Sequence, residues 1–339
     1  MVGFEDRLDG TFIAPASGSW ILSSDVPTAA VVFESKTGSG VNVKLVNNNG
    51  YDQVKTGDLV WSTDGTTWSD FQVPDVYHYS AGPLSVAAKT TVPGYASPNS
   101  PGAADTTYQS FVVSGDQVAL RGNWMALVDN TGMLTATNRD SMFRSTMSNN
   151  PAIVDVSDLS IKLDCGNSMS WCGALFNCGL TSIMKPENLD LSANGAQLYP
   201  DFGQFEKALN LVSACWRMPW TYGTSWRSST QGNGSYSFNG CTSLRELSVM
   251  SHFGDGKWKA DSLPSSGEAK RMLEGLALNC SSLSSVYTDI TSFPDSGWQD
   301  WMKGVAANGT FYCPAALGTD ETIERGVNYC PNGWTVVNI

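Results

Sequence analysis

The sequence predicts an α+β protein: an N-terminal antiparallel β-sandwich-like domain, then an irregular solenoid of repeats, then a C-terminal cap. Three observations predict it. Short β-branched and aromatic runs, separated by Gly, Asn and Asp, fill the first 125 residues. A motif of one cysteine, small polar residues and spaced leucines then returns as "LFNCGLTSI" (175–183), "FNGCTSLREL" (238–247) and "ALNCSSLSSV" (277–286). Charged residues make up only 15% of a 339-residue chain that is 41% hydrophobic, and Ser, Thr, Asn and Gly fill the difference. That balance suits turn-rich β architecture with a folded core.

The β-rich domain is expected over 1–122. "AAVVFES", "VNVKLVN", "DLVWST", "TTWSDFQV", "QSFVVSG" and "QVALRG" read as its strands. In "WSTDGTTW", Asp64 and Gly65 fit a two-residue type I′ turn, which would set Trp61 opposite Trp68 on one face. Such a pair reads first as a core anchor and second as a sugar-stacking platform. Residues 74–108 are rich in Pro, Ala, Ser and Gly without a period, and are read as a long structureless insertion held by a neighbouring chain.

The solenoid is expected over 123–290. "SGEAKRMLEGLALNC" and "FGQFEKALNLVSAC" carry apolar residues at helical spacing before a cysteine, and a short strand follows each. One such unit cannot bury its apolar face alone, so the units must stack. The expected repeat core is Cys178, Cys215, Cys241, Leu244, Leu247, Cys280, Leu283 and Val286, with the cysteines at helix-to-strand corners. The corner cysteines are separated by 37, 26 and 39 residues, so insertions interrupt the repeat. Residues 291–339 form the expected cap.

"FNGCTSLREL" and "LNCSSLSSV" resemble the BspA-type leucine-rich repeats. "WQDWMKGVAANGTFYCP" and "PNGWTVVNI" resemble the cap that follows such repeats in proteins of gut bacteria and their phages. The "WSTDGTTW" hairpin and the strand over 115–122 resemble the small β domain that precedes them. The resemblance covers about 60–339, apart from the 74–108 insertion, and departs from the group in having few, uneven repeats and an extra segment at 216–237. It implies a surface adhesin or structural protein without a shared catalytic site. "MVGFEDRLDG" carries acids where a secretory leader needs a basic start and an apolar run. A virion protein, assembled in the host cytoplasm, needs no leader. The expectation is therefore a non-enzymatic phage structural protein on head or tail, with a bacterial cell-surface adhesin as the alternative and a glycan-active enzyme third. Its expected partners are capsid or tail proteins, a trimer or other homo-oligomer, and host or mucosal glycans.

A formal charge of −12, with no basic cluster longer than a pair, argues against gripping phosphate backbones. No segment approaches the roughly 20 apolar residues of a membrane span. Trp216, Trp220, Tyr222 and Trp226 fall together in "CWRMPWTYGTSW", either as a stacking platform for a neutral glycan or as packing against the solenoid flank or a neighbouring subunit. "DLSANGAQLYPD" places Asp190, Ser192, Asn194, Gly195 and Asp201 near a calcium-loop pattern, but it lacks the terminal Glu and has Gln197 at an apolar position, so no metal is expected. No cofactor is expected either. Cys313 and Cys330, seventeen residues apart, read as two buried thiols, or as a disulfide formed after release. Triad chemistry would need His78 or His252, and neither has a Gly-x-Ser-x-Gly partner.

Overall fold

The computed structural model describes residues 12–13, 21–22, 26–46, 54–74, 76–89, 110–129, 143, 146–162, 168–170, 173–185, 188–190, 197–199, 205–217, 236–250, 274–293 and 299–339. The protein is mostly β. Among the described residues helix is confined to Asn188 and to a single 3-10 turn, Trp124–Leu127, capped by the Asn123 side chain on the Met125 amide. The helical half of the α+β expectation is thus corrected. Where helices were expected ahead of Cys241 and Cys280, residues 236–240 and 274–279 are successive turns.

In the N-terminal region β3 (Val31–Ser35) and β4 (Val41–Leu45) alternate buried and half-buried residues, as strands with one face in a core must. β5 (Leu59–Ser62), β6 (Ser69–Asp70), β7 (His78–Ser80), β8 (Leu84–Ala88), β9 (Phe111–Gly115) and β10 (Val118–Asn123) complete two sheets. One runs β10-β3-β8-β5-β6 and the other β7-β4-β9. Phe33 from the first and Phe111 from the second meet with ring centroids 6.5 Å apart, and Phe71 meets Phe111 at the same distance. A separate antiparallel pair joins β1 (Phe12–Ile13) to β2 (Ile21–Leu22).

Two expectations in this region are corrected. The 74–108 segment is not structureless at its start, because β8 lies between β3 and β5 with Leu84, Val86, Ala87 and Ala88 fully buried. A strand buried on both faces shows no alternation, and its alanines and flanking Pro83 hid it. Residues 90–108 lie outside the described residues. The hairpin register also differs: Trp61 faces Ser69 and Val60 faces Asp70. Asp64 is the cause. Its Oδ1 accepts from the Thr66 and Thr67 amides at 2.8 and 2.6 Å, holding a longer loop than a two-residue turn. A one-residue slip sends neighbouring side chains to opposite faces. Trp61 therefore packs beside His78, while Trp68 joins Val60, Ala87 and Ala126 in a second cluster.

β10 is the pivot of the molecule. It pairs antiparallel with β3 on one side and parallel with β11 (Ile153–Asp155) and β12 (Leu159–Lys162) on the other. Gly122 sits at φ +87, and a Cβ there would collide with the Ala30 carbonyl, so close strand approach requires glycine. From β12 the pairing continues in parallel to β14 (Leu189–Asp190). β13 (Ser168–Ser170) and β15 (Gln197–Tyr199) form a small parallel pair. A five-stranded parallel sheet follows in chain order: β16 (Ser213–Arg217), β17 (Glu246–Met250), β18 (Ser285–Thr288), β19 (Thr310–Cys313) and β20 (Thr335–Asn338). A single apolar core runs from Val31 to Val336 through both regions.

Candidate functional site

The parallel sheet is assembled from turn-and-strand units that obey one spacing. Phe205, Ala208, Leu211, Ala214 and Trp216 match Phe238, Cys241, Leu244, Leu247 and Val249, then Ala277, Cys280, Leu283, Val286 and Thr288. Every one of these side chains is buried. Strand pairing agrees with that alignment, since Ala214 faces Leu247, Leu247 faces Val286, Val286 faces Phe311 and Phe311 faces Val336. Just before the small residue the chain turns through the left-handed region, at Lys207 (φ 59), Gly240 (φ 71) and Asn279 (φ 60).

The small residue has a specific task. The Cys241 thiol donates to the Phe205 carbonyl at 3.2 Å, and the Cys280 thiol to the Phe238 carbonyl at 3.0 Å. Cys178 does the same to the Met147 carbonyl at 3.2 Å. Each thiol ties its own unit to the one before it. Cysteine suits the position because it is compact and apolar yet keeps one weak donor. Burial pushes the Cys178 and Cys280 thiols up to about 12 and raises Cys241 as well, so none is a nucleophile near neutrality.

Cys215 is the exception among the expected core cysteines. It is exposed, one residue past the inward Ala214, and Ala208 occupies the corner position in its unit. Period-two alternation decides this, because Ala214 and Trp216 point inward and leave Cys215 on the outer face.

At the first unit Asn150 stands in the cysteine's place and joins the two regions. Its Oδ1 accepts from the Val113 amide at 2.8 Å, and its Nδ2 donates to the Phe111 and Met147 carbonyls, each at 2.9 Å. The fully buried amide thus completes the open edge of β9 as a neighbouring strand would. The Lys36–Asp155 ion pair at 2.8 Å spans the same junction. Burial would raise Asp155, but Lys36 and the hydroxyl of Ser182 outweigh it and hold the carboxyl below the usual carboxylate range.

The outer face of the sheet is polar and carries little charge. Ser248, Tyr287, Tyr312 and Val337 follow Cys215 along one column, and the two tyrosine rings stack with centroids 4.2 Å apart. Hydroxyls and ring edges there can bind a partner, and the exposed Glu246 lies in the adjacent outward column. Among the described residues no three His, Cys, Asp or Glu side chains come together to hold a metal ion.

Trp216 is 6% exposed and packs in the core, so it offers no ring face to a sugar. Trp220, Tyr222 and Trp226 lie outside the described residues, as do the 191–196 and 200–201 parts of the calcium-like pattern and His252. Cys313 and Cys330 are free, buried thiols, with burial pushing Cys330 up to about 11. His78 is a core residue: it stacks on Phe71 at 3.8 Å, and its Nε2 accepts from the Gln72 amide at 3.0 Å. Burial lowers its pKa and keeps the ring neutral.

The sequence reading missed Asn150, the Tyr287–Tyr312 stack, and the exposed Val76, Tyr77 and Tyr79 beside β7. Aligning the units on their phenylalanines and leucines, rather than on cysteines, reveals both the Ala208 corner and the outward column. No protein-family model matches the chain, and no curated protein or solved structure matches it.

Proposed function

We propose that this chain is a non-enzymatic structural protein of a phage virion, in which a β-sandwich-like domain carries a leucine-rich-repeat solenoid closed by a C-terminal cap. The observation that carries the solenoid is the shared spacing of successive units, each tied to its predecessor by a thiol-to-carbonyl bond. Stacked parallel strands with one inward column are how units that cannot bury their own apolar face become stable. The rigid join at Asn150 and β10 suits a display protein, in which one region attaches and the other projects.

The non-enzymatic reading draws on the buried cysteines and on His78, which serve packing and main-chain bonding. The virion assignment draws on the motif resemblance. In this reading the N-terminal domain and the 90–106 segment dock to capsid or tail proteins. The solenoid, with its hydroxyl-rich outer face and the Trp220, Tyr222 and Trp226 segment, meets host or mucosal glycans. A homo-oligomer, such as a trimer, is the proposed displayed form.

The test is co-sedimentation of the tagged full chain with phage particles, beside a chain lacking residues 91–106. The full chain should travel with particles and the deleted chain should remain soluble and folded at the top of the gradient. Failure of the full chain to co-sediment overturns the virion reading, and normal incorporation of the deleted chain overturns docking through that segment.

A further inference from the structure

Glu206 stands out among the buried polar groups. It lies in the turn just before Lys207 and is 7% exposed. Its Oε1 accepts from the Asn239 amide at 2.8 Å, and the Asn239 Oδ1 accepts from the Asn279 amide at 3.4 Å. Its main-chain carbonyl accepts the Asn177 amide of the preceding unit at 2.9 Å. One carboxyl thus heads a side-chain relay across three successive units while its backbone holds a fourth. Its other oxygen, Oε2, is buried without a hydrogen-bond partner.

A buried carboxylate is stable when two or three donors or a close cation satisfy its charge. Among the described residues one amide, that of Asn239, donates to it, and the cation that acts on it is Lys207 on the same turn, whose ammonium sits over the Phe176 ring, 5.1 Å from the centroid. The following unit faces Glu206 with the amide of Asn239 and the Cys241 thiol, which burial keeps protonated. From the preceding unit the Asn177 main-chain amide reaches the Glu206 carbonyl.

We infer that Glu206 is a proton-dependent latch: as a neutral acid it leaves no unbalanced charge in the buried turn and the units stay closed, and loss of the proton loosens them. Burial raises the pKa of this carboxyl, and the Asn239 bond and the Lys207 charge pull it only partly back. The sign follows. Because the folded pKa lies above the unfolded one, the stabilisation is complete below the ordinary Glu pKa and is lost as pH rises through the folded value. Between those two values the opening constant of these units grows by up to about tenfold per pH unit.

Hydrogen exchange on the full chain, followed by mass spectrometry from pH 4.5 to 8.5 and corrected for intrinsic rates, reads that opening in peptides over 205–212 and 236–245. The wild-type opening constant should climb with pH, and the Glu206→Gln variant, which keeps the acceptor and adds a donor, should stay flat. A flat wild-type profile, or the same climb in Glu206→Gln, overturns the latch. Asn239→Ala removes the amide that donates to the carboxylate, so it should move the titration window to higher pH; an unmoved window overturns the relay. If neither variant folds, the infrared carbonyl band of protonated carboxyls in wild-type protein, followed from pH 4.5 to 8.5, decides: a band that persists above the ordinary glutamate range supports the latch, and its complete loss within that range overturns it.

Discussion

Replacing Asn150 by alanine removes the amide that closes the β9 edge, and the structure sets the size of the loss. Four backbone groups lose a bond: the Val113 amide and the Phe111, Met147 and Ser148 carbonyls. The Met147 carbonyl keeps the Cys178 thiol as a donor and the Ser148 bond is long at 3.5 Å, so the main cost falls on the other two. An unsatisfied buried backbone group costs about 1–3 kcal/mol, which gives about 2–6 kcal/mol for the pair. A folded domain has about 5–15 kcal/mol in total, so the variant should lose a large share of its stability. Urea unfolding followed by tryptophan fluorescence measures it, with a second prediction attached. Because Asn150 joins the sandwich to the repeat units, the wild type should unfold in one transition and Asn150→Ala in two. A loss below about 1 kcal/mol with a single transition refutes the reasoning, since a buried side chain with four main-chain bonds would then be dispensable.

Four further outcomes are expected. Cys280→Ala removes a thiol donor and leaves a small void, costing about 1–2 kcal/mol in the same assay, whereas Cys215→Ala on the outer face should stay within about 0.5 kcal/mol. Trp216→Ala should destabilise by about 3–5 kcal/mol, as a core tryptophan does, and a glycan-binding loss without a stability loss would contradict its placement. The His78 pKa is lowered by burial, so its contribution is present above the ordinary histidine pKa of about 6.5 and is lost as pH falls; His78→Phe should flatten the fall in stability below about pH 6.5. Asp155 is held below the carboxylate range, so Asp155→Asn should cost stability at neutral pH, and its gap to wild type should shrink as pH falls below about 3.9.

The strands legible in the sequence are those that bury one face. β3, β4, β5, β9 and β10 fall within the runs that alternation and β-branching pick out. β8 escaped because it is buried on both faces and built partly of alanine. The helices were a misreading with a physical cause. Phe, Ala or Cys, and Leu recur every three residues through the turns, and that period imitates one face of a helix. Stacked turns produce it instead, each bonded to the next unit, as the Phe238 amide is to the Leu276 carbonyl at 2.8 Å. The Trp61–Trp68 pairing failed because a side chain, Asp64, supplied acceptors that a two-residue turn does not need. Of the candidate site, the inward cysteines were visible because they recur beside leucines. Asn150 was not, since its partners on β9 are some 37 to 39 residues distant in sequence.

The most direct test of the account is quantitative mass spectrometry of gradient-purified phage particles beside the membrane fraction of the producing host. A virion structural protein should appear in particles at a fixed ratio to the major capsid protein, unchanged through successive gradients. Absence from particles together with enrichment on membranes would contradict the account and assign the chain to the cell surface.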